Sequence, residues 1–144
     1  MATNELLAAH LLATAAYAGF QLTVQVLVYR QFPAVPADAF PGYEAAHSRR
    51  ITPLVGVLFG ACALTTAALL AVRPESVPLA GIAVSAGLFA TVLVVTGLLA
   101  VPEHRRLGAG FESVAFRRLL RADLVRTVAA TGNAALAFVL LVRA

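Results

Sequence analysis

The chain has 144 residues, of which 60% are hydrophobic and only 12% charged. Soluble proteins have roughly 45 to 50% apolar residues, so this composition excludes an ordinary soluble domain and predicts that lipid surrounds most of the chain. The net charge of +4 does not indicate nucleic acid, because the arginines cluster at the ends of apolar runs, where anionic lipid and membrane topology account for them. We therefore expect membrane lipid as a partner and no nucleic acid.

Four apolar runs follow one another along the chain, and each is long enough to cross a bilayer, which takes about 20 helical residues. Short links with turn residues connect them, so consecutive helices should be antiparallel neighbours. The sequence predicts an all-α integral membrane four-helix bundle with up-down-up-down order and a single domain, 1–144. The predicted spans are 6–29, 51–72, 77–102 and 121–142.

Two of the helices should extend beyond the bilayer. The second is predicted to begin near Ala39 and to run to Val72, and the third to continue past Pro102 to about Leu107. Because proline lacks a backbone N–H, Pro102 should open or kink the third helix just before His104.

Arginine placement predicts the orientation of the bundle. Arginines are abundant in the first and third links and sparse on the opposite side, which has only Arg73 and Arg143. The positive-inside rule then places both termini outside the cytoplasm of a multi-pass protein of the cell membrane. The arginines of the two links are Arg30, Arg49, Arg50, Arg105, Arg106, Arg117, Arg118 and Arg121.

Polar residues form a stripe along the first helix, at steps of three or four positions that keep them on one face. The stripe consists of His10, Thr14, Tyr17, Gln21, Gln25 and Tyr29. Hydrogen bonding between helices is the favoured interpretation for the first three residues. For Gln21, Gln25 and Tyr29, helix contacts and the wall of a polar cavity remain equal alternatives.

Further polar pairs occur on the other helices. Glu44 and His47 are three residues apart on the second helix, and Asp123 and Arg126 have the same spacing on the fourth. Small residues at Gly56 and Gly60, and at Gly81 and Ser85, should let another helix approach closely. The single cysteine, Cys62, is expected to be a buried packing residue.

The sequence predicts a polar site near the cytoplasmic end, where four residues from four different helices fall at similar depth: Tyr29, His47, His104 and Asp123. Its predicted catalytic residues are His47, His104, Arg126 and Asp123. Its predicted substrate-binding residues are Gln21, Gln25, Tyr29, Tyr43 and Asn133.

Three chemistries fit this set of residues. Glu44, His47 and His104 could bind a non-haem metal, since two imidazoles and a carboxylate are a common ligand set. Alternatively, a histidine could act without metal as a base on a lipophilic small molecule, while Arg126 stabilises the anion formed. In the third alternative the bundle is a non-enzymatic membrane subunit or a lipid- or small-molecule-binding protein. A bound metal and a metal-free site remain equal alternatives, and a homo-oligomer remains open.

Four segments carry a family resemblance: VQVLVYRQF, FPGYEAAHSRRI, VPEHRRLGAGF and LLRADLVRT. Together they resemble a group of small bacterial four-helix membrane proteins of unknown function. More distantly, the chain resembles the anthrone oxygenase-like (DUF1772) proteins through Pro102, His104 and Leu107, and then Leu120 and Arg126. This resemblance implies an oxygenase-type oxidoreductase that acts on a small lipophilic aromatic substrate.

Overall fold

The computed structural model describes residues 2–144, with side chains from residue 4 onward, and these residues form helices joined by short loops. The first helix is α-helical over Ala2–Thr23, π-helical over Val24–Val28 and 3₁₀-helical over Tyr29–Ala34. The second helix is Phe40–Val72. The third consists of α-helical Leu79–Val95, π-helical Thr96–Ala100 and α-helical Val101–Leu107, and the fourth is Ser113–Arg143.

All four helices are long and apolar enough to cross a membrane, with 31, 33, 29 and 31 residues in the candidate spans. Large apolar side chains such as Leu12, Val57 and Leu64 are exposed on the outer surface, as a bundle surrounded by lipid requires. The predicted fold class is confirmed: the chain is an all-α four-helix bundle with the architecture of a multi-pass membrane protein, and its helices imply contact with lipid. The second helix also ends at Val72, and the third reaches Leu107, as predicted.

The first and fourth helices form the centre of the bundle. The first packs against both the second and the fourth, and the third packs mainly against the fourth, while the second and third helices pack less closely against each other. The middle of the core contains Tyr17, Cys62, Phe89 and Val92, so Cys62 is the buried packing residue that the sequence predicted. Small residues of the fourth helix, such as Ala130, allow the first helix to lie close to it.

The small-residue pairs divide into two classes. Gly81 lies against the fourth helix, where an added Cβ would meet Cδ2 of Leu140 at 2.7 Å, so the predicted close approach is confirmed there. At Gly56 and Gly60 a Cβ would meet nothing within 4 Å. Among the described residues, no other helix approaches this second pair closely, so the predicted contact is not formed within the bundle.

Two π-helical turns lie at the same end of the bundle. In the third helix, the backbone N–H of Val101 donates to the carbonyl oxygen of Thr96, five residues back. Pro102 follows directly, and the predicted opening of the helix takes the form of this turn, after which the α-helix resumes and carries His104. In the first helix, the N–H of Tyr29 donates to Val24 in the same way. Each wide turn rotates the residues that follow it, and therefore sets the direction of the side chains of Tyr29 and His104.

Candidate active site

A chain of hydrogen bonds joins three helices at His104. Its Nδ1 lies 2.6 Å from Oε1 of Glu44, and its Nε2 lies 3.0 Å from the hydroxyl oxygen of Tyr29. Because the carboxylate can only accept, we assign the ring proton to Nδ1, and the unprotonated Nε2 then accepts the Tyr29 hydroxyl proton. The result is a Tyr29–His104–Glu44 chain in which a carboxylate orients the imidazole.

This chain is shielded from solvent. Glu44 is 1% exposed and Tyr29 is 2% exposed, whereas the side chain of His104 is 20% exposed. The Ser48 hydroxyl also donates to Oε1 of Glu44, at 3.2 Å, while Oε2 of Glu44 has no hydrogen-bond partner among the described residues. A buried carboxylate is destabilising unless it is paired, and Glu44 is paired with Nδ1–H of His104. This hydrogen bond fixes the imidazole ring of His104 in one orientation.

A second polar network centres on Asp123, which is fully buried. Its Oδ1 accepts hydrogen bonds from Nη2 of Arg126 and from the side-chain amide of Gln21. Nη1 of Arg126 donates to the Thr96 hydroxyl at 3.2 Å, and the Tyr17 hydroxyl donates to Oε1 of Gln21 at 3.0 Å. The predicted pairing of Asp123 with Arg126 is therefore present, and it joins the first, third and fourth helices.

Both networks border one cavity of about 390 Å³. This volume lies at the lower end of the range for small-molecule pockets, roughly 300 to 1,000 Å³. Apolar side chains, including Phe20, Val24, Ile51, Val55 and Val101, form most of its surface. The polar residues that line it are Tyr17, Gln21, Tyr29, Glu44, Ser48, Thr52, Thr96, His104, Arg105 and Arg126.

Five of the predicted site residues line this cavity: Gln21, Tyr29, Glu44, His104 and Arg126. Asp123 does not line the cavity, but its carboxylate accepts hydrogen bonds from Gln21 and Arg126, which do line it. The structure therefore brings these six residues together around one space.

His47, Tyr43, Gln25 and Asn133 do not line the cavity. His47 lies in an aromatic cluster, with its ring centroid 5.3 Å from that of Phe32, 6.5 Å from that of Tyr43 and 5.8 Å from that of His104. Spacing correctly placed Glu44 and His47 near each other, but His47 is half-buried and packs against the aromatic rings instead of lining the cavity. Its Nε2 is buried without a hydrogen-bond partner among the described residues.

The other two residues also lie apart from the site. Gln25 is half-buried, and its Oε1 is buried without a hydrogen-bond partner among the described residues. Asn133 accepts a hydrogen bond from the Ser85 hydroxyl at 2.7 Å, and Ser85 in turn bonds His10 Nε2 at 2.9 Å. Asn133 thus belongs to a separate network that links the helices, and for His10 the favoured interpretation of helix bonding is supported.

The sequence did not point to Ser48, Thr52, Thr96 or Arg105 as site residues, and it favoured a purely structural role for Tyr17. Ser48 is four residues from Glu44, so the two residues share a helix face and helical spacing could have found Ser48. Thr96 begins the π-helical turn that precedes His104, so regular helical spacing does not relate these two residues. Small hydroxyl residues are common in membrane helices, however, and spacing alone does not distinguish a cavity wall from a helix contact.

The metal prediction depends on Glu44, His47 and His104 meeting at one point. Glu44 and His104 use a carboxylate oxygen and a ring nitrogen to bond each other. Among the described residues, no three His, Cys, Asp or Glu side chains form a group that could hold a metal ion. This arrangement does not fit a three-ligand site, so no reaction step below uses a metal.

The chain matches no protein-family model, no curated protein and no solved structure. The resemblance to anthrone oxygenase-like proteins therefore stays a prediction. The cavity and the two hydrogen-bond networks that border it are the features of this structure that bear on function.

Proposed function

We propose that the protein is a membrane enzyme, an oxygenase-type oxidoreductase that acts on a small lipophilic aromatic substrate. One observation carries the proposal: the Tyr29–His104–Glu44 chain borders a largely apolar cavity within the bundle. An oriented histidine beside a space of this size can remove a proton from a bound molecule. The resemblance described above supplies the oxygenase class and the aromatic character of the substrate.

His104 is the general base of the proposed reaction. The Tyr29 oxygen takes a proton from the substrate as its own hydroxyl proton passes to Nε2 of His104, 3.0 Å away. The imidazole then carries a positive charge, which the Glu44 carboxylate stabilises through Nδ1–H. Glu44 also holds the ring in the tautomer that leaves Nε2 free to accept the proton.

Arg126 stabilises the anion that remains on the substrate. Arg126 lines the cavity, and its guanidinium donates hydrogen bonds to the carboxylate of Asp123 and to the hydroxyl of Thr96. These two bonds fix its position. Its Nε has no hydrogen-bond partner among the described residues. A fixed cation in a water-poor space favours an enolate or phenolate without having to reorganise during the reaction.

Dioxygen is the oxidant of the proposed reaction. An electron-rich aromatic enolate transfers electrons to O₂, and a C–O bond forms at the carbon that lost its proton. Loss of water completes the conversion, in which a CH₂ group and O₂ become a C=O group and H₂O. Four electrons pass from the substrate to dioxygen, and the proton held by His104 leaves with the water.

Anthrone, a tricyclic aromatic ketone with one reactive CH₂ group, is a direct probe of this proposal. The purified protein in lipid nanodiscs is mixed with anthrone and air-saturated buffer, and quinone formation and oxygen uptake are followed together. We expect protein-dependent formation of quinone with one O₂ consumed for each quinone formed. No rate above that of empty nanodiscs would contradict the proposal, and stoichiometric iron or copper in the same sample would contradict its metal-free form.

A non-enzymatic small-molecule binder is the second candidate. Gln21, Asp123 and Arg126 form hydrogen bonds with one another that join the first and fourth helices. A network of this kind can serve to hold the helices together without taking part in a reaction, and this favours the binder. The same experiment separates the two functions. Saturable binding of anthrone without turnover would support the binder, and binding with turnover would support the enzyme.

A further inference from the structure

The residues that line the cavity differ in exposure from one helix to another. Among the described residues, the lining residues contributed by the first and fourth helices are buried or half-buried. Those that are exposed lie on the second helix or at the end of the third: Ala45, Thr52, Val101, Arg105 and Gly108. The mouth of the cavity is therefore the gap between the second and third helices.

Small side chains create this gap. Ala45 and Ser48 of the second helix line the cavity, as do Ala100 of the third helix and Gly108 directly after it. These two helices also pack less closely than the other neighbouring helices of the bundle. The mouth therefore depends on small residues at these positions, and a larger side chain there would close it.

Apart from Gly108, the exposed residues of the mouth lie within the candidate spans Phe40–Val72 and Leu79–Leu107, and the mouth has a polar and an apolar end. Toward the middle of the spans, Leu54 and Leu98 are exposed and apolar, whereas Arg49 and Arg50 are exposed just before Thr52. At the other end Arg105 lines the cavity and is exposed. An apolar entrance edged by an arginine is the arrangement expected at the boundary between acyl chains and headgroups.

We infer that the site takes its ligand sideways from the membrane, through the gap between the second and third helices, and that this ligand is an amphiphilic aromatic compound with an anionic group that stays at Arg105. The aromatic part passes Ala45 into the cavity toward His104. The anionic group remains at the level of the headgroups. This inference rests on the proposed function for the aromatic character of the ligand, but its test measures binding alone.

Two fluorescent probes test the inference with the full-length protein in phosphatidylcholine nanodiscs: anthracene-2-carboxylate and uncharged anthracene. Ala45→Phe places a ring in the mouth and should weaken binding of both probes about tenfold or more, because the ring and the ligand would occupy the same space. The matched control is Ala63→Phe, at an exposed alanine of the same helix that does not line the cavity, and it should bind both probes as the wild type does.

Arg105→Gln tests the charge at the mouth. We expect about twofold to fivefold weaker binding of the carboxylate and unchanged binding of anthracene, as for the loss of an exposed ion pair. Arg117→Gln, at an exposed arginine that does not line the cavity, should change neither.

Four results would overturn the inference: no binding to the wild type, wild-type affinity in Ala45→Phe, an equal loss in Ala63→Phe, or equal effects of Arg105→Gln on both probes. Binding that follows the expected pattern without oxidation of anthrone would leave this inference standing and overturn the proposed enzyme activity.

Discussion

At the scale of single residues, the proposed reaction depends on the position of one hydroxyl group. Tyr29 is buried and lines the cavity, and its hydroxyl oxygen lies 3.0 Å from Nε2 of His104. Tyr43 has the same functional group and lies close by, beside His47, but does not line the cavity. The two tyrosines therefore form a natural comparison between a residue of the site and a residue of its surroundings.

Tyr29→Phe should lower the rate of anthrone oxidation by at least about tenfold, because it removes the group that passes the proton to His104. The ring remains, so its contact with Phe32 is kept and the folded fraction should be unchanged. Tyr43→Phe is the control and should retain the wild-type rate. Similar rates in the two variants would show that Tyr29 is not part of the reaction path.

The buried ion pair of Asp123 and Arg126 makes a second prediction, about stability. Asp123→Ala leaves the Arg126 guanidinium buried without its carboxylate, which should cost about 3 to 5 kcal/mol in the free energy of unfolding. The double variant Asp123→Ala with Arg126→Leu removes both charges and should regain most of that loss. Thermal unfolding in detergent measures both variants, and a double variant no more stable than Asp123→Ala would contradict the assigned pairing.

At the scale of helices, the sequence predicted the elements well and their contacts less well. Runs of apolar residues long enough to span a bilayer leave little choice of secondary structure, since unpaired backbone groups are costly in lipid. The faces were also predictable, because spacings of three or four keep Gln21 and Tyr29 on one side of the first helix. Which residues meet across helices depends on the relative register of the helices. The spacing of residues within one helix does not specify that register.

Two residues illustrate this limit. His47 is three residues from Glu44, yet it packs against the rings of Phe32 and Tyr43 and does not line the cavity. Phe32 comes from the 3₁₀-helical end of the first helix. Asn133 was predicted to bind substrate, but its depth on the fourth helix matches that of Ser85 and His10. The π-helical turns add to the difficulty, since each shifts the face of the residues that follow it.

Gly81 supplies a prediction at the helix scale. Gly81→Val would place a side chain where Leu140 of the fourth helix already lies, 2.7 Å from an added Cβ, and should lower stability by about 1 to 3 kcal/mol. Gly56→Val is the matched control, because its Cβ would meet nothing within 4 Å. Thermal unfolding should separate the two variants, and Leu140→Ala combined with Gly81→Val should recover part of the loss. Equal stability of the two glycine variants would contradict the packing of the third helix on the fourth.

At the scale of the whole molecule, four spanning helices require both termini on the same side of the membrane. The arginines of the first and third links predict that this side lies outside the cytoplasm. Alkaline phosphatase fused to the C-terminus, which is active only outside, should therefore be active, and a fluorescent protein that folds only in the cytoplasm should stay dark there. The opposite pattern would place the mouth of the cavity at the outer surface and contradict the predicted orientation.

The central claim is that His104, oriented by Glu44, is the base of the reaction in the cavity. The most direct test is the rate of oxygen-dependent anthrone oxidation by His104→Asn, beside His10→Asn as a control in the separate buried network. We predict a rate lower by about 100-fold or more for His104→Asn, with anthrone binding retained, and the wild-type rate per folded molecule for His10→Asn. A folded His104→Asn variant that oxidises anthrone at the wild-type rate would contradict the claim.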